Sequence, residues 1–202
     1  MPLQNSLDIS AVLDNAGIDP ATAAAVLDID GLMQKWRRRA MRRELGHRAL
    51  LDLKVGIDLA QLDVLTAIEG PEPEFGDGQG ETTVGTVAER LGIDPSRASR
   101  LASEMVEQGF ARRAVSQADA RRTIIELTAR GSVVVRAVRA YKFLIMGDYF
   151  GQWDAAELEV FVPMLKRFST WMDGIDPATE KHAGEVQALV DAIARSGQTE
   201  TA

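Results

Sequence analysis

The chain has 202 residues, 46% hydrophobic and 26% charged, with 17 glycines and 7 prolines; it is long enough to bury a core without staples, and its composition excludes fibrous and collagen-like classes. It has no cysteine and two histidines, His47 and His182, which excludes disulfide scaffolds, thiol catalysis and Cys-type zinc sites and leaves a His-based metal site short of ligands. The net charge of −7, taken whole, argues against a nucleic-acid partner. Met1 to Asp14 carries Asp8 and Asp14 and no basic residue, unlike a signal peptide, and no apolar run reaches the roughly 18 residues of a membrane span. The expectation is a cytoplasmic chain with no cofactor, no metal and no membrane partner.

Ser6 is expected to cap a short first helix carrying Leu7, Ala11 and Val12, with Gly17 as its stop. Asp19 and Pro20 then read as cap and first residue of a long alanine-rich helix through Leu27, Met33, Trp36, Ala40 and Leu45, ending at Gly46. Lys35 to Arg48, with Arg37, Arg38, Arg39, Arg42 and Arg43 between, carries a net charge of +6. It could meet phosphates or an anionic effector, or be a solvated face whose arginine stems cover apolar neighbours. The second reading is favoured because helical arginines in a row point in several directions. Asp58 caps a helix with Leu59, Leu62, Val64, Leu65 and Ile68 inward, and the glycine-rich, acidic stretch from Gly70 to Gly80 is a loop.

Thr83 to Met105 has the layout of a helix-turn-helix. Val87 and Leu91 share one face of a first helix, Ala88 is small where two helices approach, Gly92 sits at the turn and Ile93 plugs the corner. Asp94 and Pro95 open a second helix that points Ala98, Leu101 and Met105 inward. Ala111 to Val115 and Arg121 to Leu127 are β-capable and bracket the polar stretch Ser116 to Ala120, the economical reading being a hairpin. Thr128 starts a long helix with Val134, Ala137, Val138, Tyr141, Leu144 and Ile145 on one face. Asp154 starts another with Leu158, Phe161, Val162, Leu165, Phe168 and Trp171. A last helix, capped near Asp176 and Pro177, carries Val186, Leu189, Val190 and Ile193 before an end frayed from Ser196.

The outer face of the second helix of the pair offers Ser96, Arg97, Ser99, Arg100 and Ser103, a face short, polar and positive in its first two turns and suited to a major groove, where arginine can bond guanine bidentately and serine a base edge or phosphate. The alternative is a solvated helix face. The hairpin weighs against that alternative, because Arg112, Arg113, Arg121 and Arg122 flank its turn, and a ribbon with arginines beside its tip can lie on the backbone and reach a minor groove.

From Thr83 to Gly131 the chain resembles the winged helix-turn-helix of the MarR family of bacterial transcriptional regulators. Asp119-Ala120-Arg121, three residues, then Ile125-Glu126-Leu127-Thr128 and Gly131 match the family's D-x-R-x-x-x-apolar-x-L-T-x-x-G signature. Leu91-Gly92-Ile93, Arg100-Leu101 and Glu107-Gln108-Gly109-Phe110 agree with it upstream. The resemblance implies a fold mainly α with a small β-hairpin wing, in which a winged helix-turn-helix domain is joined by N- and C-terminal dimerisation helices. It also implies a homodimer on double-stranded DNA. By position, Arg121 would be the minor-groove arginine at the wing tip and Asp119 the residue orienting it. The peroxide-sensing branch of the family is excluded by the lack of cysteine.

The expected organisation is an extra helix over 1–17, a dimerisation helix and link over 18–57, the winged domain over 58–131, C-terminal dimerisation helices over 132–175 and an extra helix and tail over 176–202. Trp36, His47 and Tyr141 are candidates for a pocket taking a small aromatic or anionic effector, or are simply core. Trp153, Phe161, Phe168, Trp171 and Met172 form an apolar stripe whose simplest outlet is a second copy of the chain. An enzyme is the least favoured alternative, since no nucleophile with an adjacent base accompanies Asp154, Glu157 and Glu159. A winged helix that binds protein instead of DNA is disfavoured by the arginines. Resolved along the chain, the charge of −7 hides a second positive stretch: Thr82 to Arg139 sums to +4, and with Lys35 to Arg48 it holds 16 of the 18 arginines.

Overall fold

The computed structural model describes residues 7–70 and 80–199. In chain order the elements are α1 (Ile9–Asn15), α2 (Pro20–Arg42), α3 (Glu44–Asp52), α4 (Leu59–Glu69), α5 (Val84–Leu91), α6 (Pro95–Glu107), β1 (Ala111–Val115) and β2 (Thr123–Leu127). There follow α7 (Ala129–Phe150), α8 (Ala155–Ser169), a 3-10 turn (Trp171–Gly174), α9 (Ile175–Lys181) and α10 (Ala183–Thr199). The chain divides into two compact units, Arg42–Gln152 and a second made of Met1–Met41 with Trp153–Ala202.

The unit Arg42–Gln152 holds the core. Leu62, Val64, Leu65 and Ile68 of α4, Val87 and Ala88 of α5, and Ala98, Leu101, Ala102 and Met105 of α6 pack in one cluster with Phe110, Ala111, Ile125 and Val135. The starts of α4, α5 and α6 are written locally. Asp58 and Gln61 form a reciprocal capping box on α4, Thr83 and Thr86 form one on α5, and Asp94 caps α6 with Pro95 in its first turn. Between α5 and α6 Gly92 stands at φ +59°, a left-handed turn that a glycine enters without steric cost. Thr128 caps α7 by accepting from the Gly131 amide at 3.1 Å.

The strands are antiparallel, with Ala111 opposite Leu127 and Arg112 opposite Glu126. Thr82 extends the ladder by one bond, its carbonyl accepting from the Ile125 amide at 2.8 Å. The second strand begins at Thr123, not at Arg121: the turn runs to Arg122, because the Arg122 amide bonds back to the Asp119 carbonyl at 2.9 Å and closes the loop there.

Several helix boundaries differ from expectation. The long N-terminal helix stops at Arg42, and Gly46 does not end it. Arg43 takes a left-handed conformation at φ 51° and α3 starts at the next residue. Arg43 is held there by a two-pronged pair to Asp63 of α4, one prong at 2.7 Å. Gly46 lies inside α3 as a packing glycine, since a Cβ there would stand 2.9 Å from Leu59 Cδ2. The cap of α1 is Asp8, whose carboxylate accepts from the Ser10 amide at 3.0 Å; Ser6 lies outside the described residues. The glycine-rich loop is described only at Gly70, Gly80 and Glu81.

On α7 the buried positions are Gly131 and Val135, with Val134 and Val138 partly buried, whereas Leu144 and Ile145 are exposed: the helix outruns the core of its own unit. The last segment is two helices, α9 and α10, broken at His182, and Asp176 and Pro177 sit within the first turn of α9 instead of capping it. Helix continues past Ser196 to Thr199.

In the other unit, no residue of α1, α2, α8 or α9 is buried. Asp154 and Glu157 form a capping box on α8. Trp153 meets Phe161 edge-on at 5.1 Å, and Phe168 stacks on Trp171 at 6.4 Å, yet Trp171 and Met172 remain about half exposed. No helix among the described residues is long and apolar enough to cross a membrane.

Candidate nucleic-acid interface

Helix α6 presents Ser96, Arg97, Ser99 and Arg100 as one exposed face, opposite the buried Ala98, Leu101 and Met105. The cap at its start commits one of these. The Asp94 carboxylate accepts from the Ser96 amide at 2.8 Å, from the Arg97 amide at 3.4 Å and from the Ser96 hydroxyl. The Ser96 hydroxyl, followed by the two amides, holds the Asp94 carboxyl below the ordinary aspartate range, so the cap is an anion at neutral pH. Arg97 borders a hollow of about 80 Å³ with Ala60, Asp63, Leu91, Ile93 and Leu101.

Arg100 is directed from behind. Its guanidinium donates to Glu104 Oε1 at 3.1 Å, and the other oxygen of that carboxylate accepts from Gln61 Nε2 at 3.0 Å. Gln61 is the same residue that closes the capping box of α4, so a polar chain runs from the start of α4 to the exposed face of α6.

In the hairpin, Arg112 pairs with Glu126 directly across the ladder at 2.8 Å, and Arg113 donates to Ser103 Oγ of α6 at 3.0 Å. The turn carries Arg121 with its side chain 92% exposed. Asp119 Oδ1 accepts from both the backbone amide of Arg121, at 3.0 Å, and its Nε, at 3.3 Å. Arg122 is exposed beside it. The four α6 residues and the five hairpin residues thus lie on contiguous elements, α6 and β1 being joined by the Arg113–Ser103 contact. Of these partners, Ser103 was expected on the outer face of α6, whereas Glu104 and Glu126 were not among the candidates. The i, i+4 spacing of Arg100 and Glu104 was a legible signal, whereas the Arg112–Glu126 pair needs the strand register.

The effector candidates are placed differently. Tyr141 of α7 donates its hydroxyl to Asp52 Oδ2 at 2.7 Å, and Arg48 Nε donates to the same oxygen at 2.9 Å, tying α7 to α3. His47 is exposed on α3, and Trp36, 74% exposed, lies on α2 in the other unit. The Tyr141 hydroxyl and then Arg48 lower the Asp52 pKa below its ordinary value. A carboxylate with a depressed folded-state pKa contributes fully above the unfolded value of about 3.9, and that contribution is lost as pH falls through the lower folded value. Asp52→Asn is therefore expected to lower the denaturation midpoint at neutral pH, with the difference from wild type closing in acid. A difference that is the same at both ends of the pH series would contradict it.

Two short helices at a tight left-handed turn, with an antiparallel ribbon packed on the same core, define a winged helix-turn-helix domain. Residues 55–122 match the family model described as the MarR family. No curated protein matches the chain. Among solved structures it is similar to a MarR family protein from Bacillus stearothermophilus, at 18% identity and a TM-score of 0.59, over 74% of this chain and 96% of that one. It is also similar to RV1404 from Mycobacterium tuberculosis, at 22% identity and a TM-score of 0.55, over 74% and 94% of the two chains. A third likeness is to S. aureus MepR bound to ethidium bromide, at 20% identity and a TM-score of 0.51, over 68% and 95%. Likeness at these identities is a likeness of fold.

Proposed function

We propose that the chain is a MarR-type transcriptional regulator, a cytoplasmic homodimer that binds a pseudo-palindromic duplex. The observation that carries this reading is the pairing of an exposed arginine-bearing face on α6 with an exposed, Asp119-held Arg121 at the tip of the adjoining hairpin. In this reading α6 enters the major groove with Ser96, Arg97, Ser99 and Arg100, and Arg112, Arg113, Arg121 and Arg122 hold the hairpin along the backbone, with Asp119 aiming Arg121. Two such domains in a dimer would read half-sites about one helical turn, roughly 34 Å, apart.

The exposed apolar residues of α2, α8 and the distal half of α7, among them Trp36, Leu144, Val160 and Trp171, support self-association, because a surface this apolar is stable in water only when covered. A small aromatic or anionic effector near Trp36, His47 or Tyr141 would release the duplex only by binding the two dimer conformations with different affinity. The structure of MepR bound to ethidium bromide supports testing aromatic cations first. The same family match supports a non-enzymatic role.

The test is selection of duplexes from a fragmented genomic pool, followed by mobility-shift titration of those enriched. One or a few duplexes bound at about 10 nM or tighter are expected. A pool that shows no enrichment, with affinity uniform across sequences, would reject the regulator reading, and a monomer by sedimentation at micromolar concentration would reject the two half-sites.

A further inference from the structure

The turn that carries Arg121 is tied together internally. The Ser116 amide donates to the Arg122 carbonyl at 3.0 Å, and Asp119 binds both the Arg122 and the Arg121 amides. Ser116 is 4% exposed, and its hydroxyl oxygen accepts from the amides of Ala118 at 3.1 Å and Asp119 at 2.9 Å. Beside it, the carboxylate of Glu81 accepts from the Gln117 amide at 2.6 Å. Glu81 lies 36 residues before Gln117, immediately ahead of Thr82, whose carbonyl extends the ladder, and of Thr83, which caps α5. Among the described residues, Glu81 is the group outside the hairpin that hydrogen-bonds this turn. Ser116 first, and Arg122 among the lesser causes, lower its pKa, which keeps the carboxylate ionised and fully accepting at neutral pH.

We propose that Glu81 is a positioning residue of the wing: its carboxylate clamps the Ser116–Arg122 turn to the segment that opens α5 and so sets where Arg121 and Arg122 stand relative to α6. The clamp deepens the DNA-binding reading and rests on it. Because Asp119 and Ser116 make the turn a single piece, a tether at Gln117 moves both arginines together. Charge alone gives the opposite sign from clamping. Removing an acid beside a bound polyanion strengthens binding, whereas removing the tether of the arginine-bearing turn weakens it.

The experiment uses the full chain, with Glu81→Ala and Glu81→Gln, amide hydrogen exchange on the free protein, and mobility shift on the selected duplex. In Glu81→Ala, exchange over Gln117 to Arg122 is expected to rise about tenfold or more while α6 keeps its protection. Duplex affinity is expected to fall about three- to tenfold, with Glu81→Gln in between. Combined with Arg121→Ala, the loss is expected to be smaller than the product of the two single losses, because both act through one turn. Unchanged exchange in the turn overturns the clamp, as does tighter duplex binding by Glu81→Ala. A wild-type chain that binds no duplex rejects the regulator reading instead, and the exchange measurement still decides the clamp.

Discussion

Gly131→Ala is expected to destabilise the unit Arg42–Gln152 by about 3 kcal/mol or more, at the upper end of overpacking costs. Helix propensity argues the other way: alanine in place of glycine inside a helix is worth roughly 1 kcal/mol of stabilisation. The steric term decides the sign. A Cβ on Gly131 would stand 2.0 Å from the Phe110 carbonyl oxygen, 3.0 Å from its carbon and 3.3 Å from Leu127 Cδ2. That carbonyl cannot step aside, because it accepts from the Thr128 amide at 3.0 Å and from the Thr128 hydroxyl at 3.2 Å, the bonds that seat the start of α7 on the start of β1. Relief would need α7 to lift off the hairpin, exposing Val135 and Phe110. Gly147 on the same helix is the control: nothing lies within 4 Å of its Cβ position, so Gly147→Ala is expected to be neutral or stabilising by up to about 1 kcal/mol. Chemical denaturation of the two variants checks both, and equal midpoints would show that the close approach at Phe110 is absent in solution.

Arg121→Ala is expected to leave stability within about 0.5 kcal/mol of wild type and to weaken duplex binding by about 1–3 kcal/mol, with the slope of log K against log salt shallower by about one. The side chain is 92% exposed and buries nothing in the fold, so its loss has no structural route to the readout. Its ion pair to Asp119 is a surface pair, worth little by itself, and serves to narrow the directions in which the guanidinium points. Arg112→Ala should lose less, because Glu126 already neutralises that guanidinium across the ladder and a phosphate would have to compete for it. An Arg121→Ala titration that superimposes on wild type at every salt concentration would remove the wing from the interface. A loss accompanied by a lower unfolding midpoint would assign Arg121 to the fold instead.

How much of this was legible beforehand divides by the range of the interaction. The starts of α4, α6, α7 and α8 were readable from Asp58, Asp94, Thr128 and Asp154, because a cap is a bond between a side chain and backbone two or three residues on. The same locality explains the turn at Gly92 and the inward face Ala98, Leu101 and Met105. The helix break at Arg43 was not legible, since what holds it is Asp63, 20 residues away. Gly46 was misread because its lack of a side chain answers to Leu59 and not to its own helix. On α7 periodicity puts Val134, Val138, Leu144 and Ile145 on one face but does not report where the neighbouring core ends, and Leu144 and Ile145 stand exposed beyond it.

The helix-turn-helix, the hairpin, and the positive face and tip were readable from the amino-acid sequence, since each is written in residues that interact within about one or two turns of chain, whereas the breaks that divide the flanking helices at Arg43 and His182 were not. The sequence also located the charge: the +4 stretch hidden within −7 is the one that folds into α5, α6, the hairpin and the first half of α7, where Arg130, Arg136 and Arg139 lie. How those charges are held depends on the packing of the elements. That packing pairs Arg112 with Glu126, Arg113 with Ser103 and Arg100 with the Gln61–Glu104 chain, and it brings Glu81 under the turn that carries Arg121. Each of these joins groups on separate elements or opposite strands, apart from the one-turn Arg100–Glu104 step, and depends on strand register and helix packing, which fix separations that no local spacing encodes.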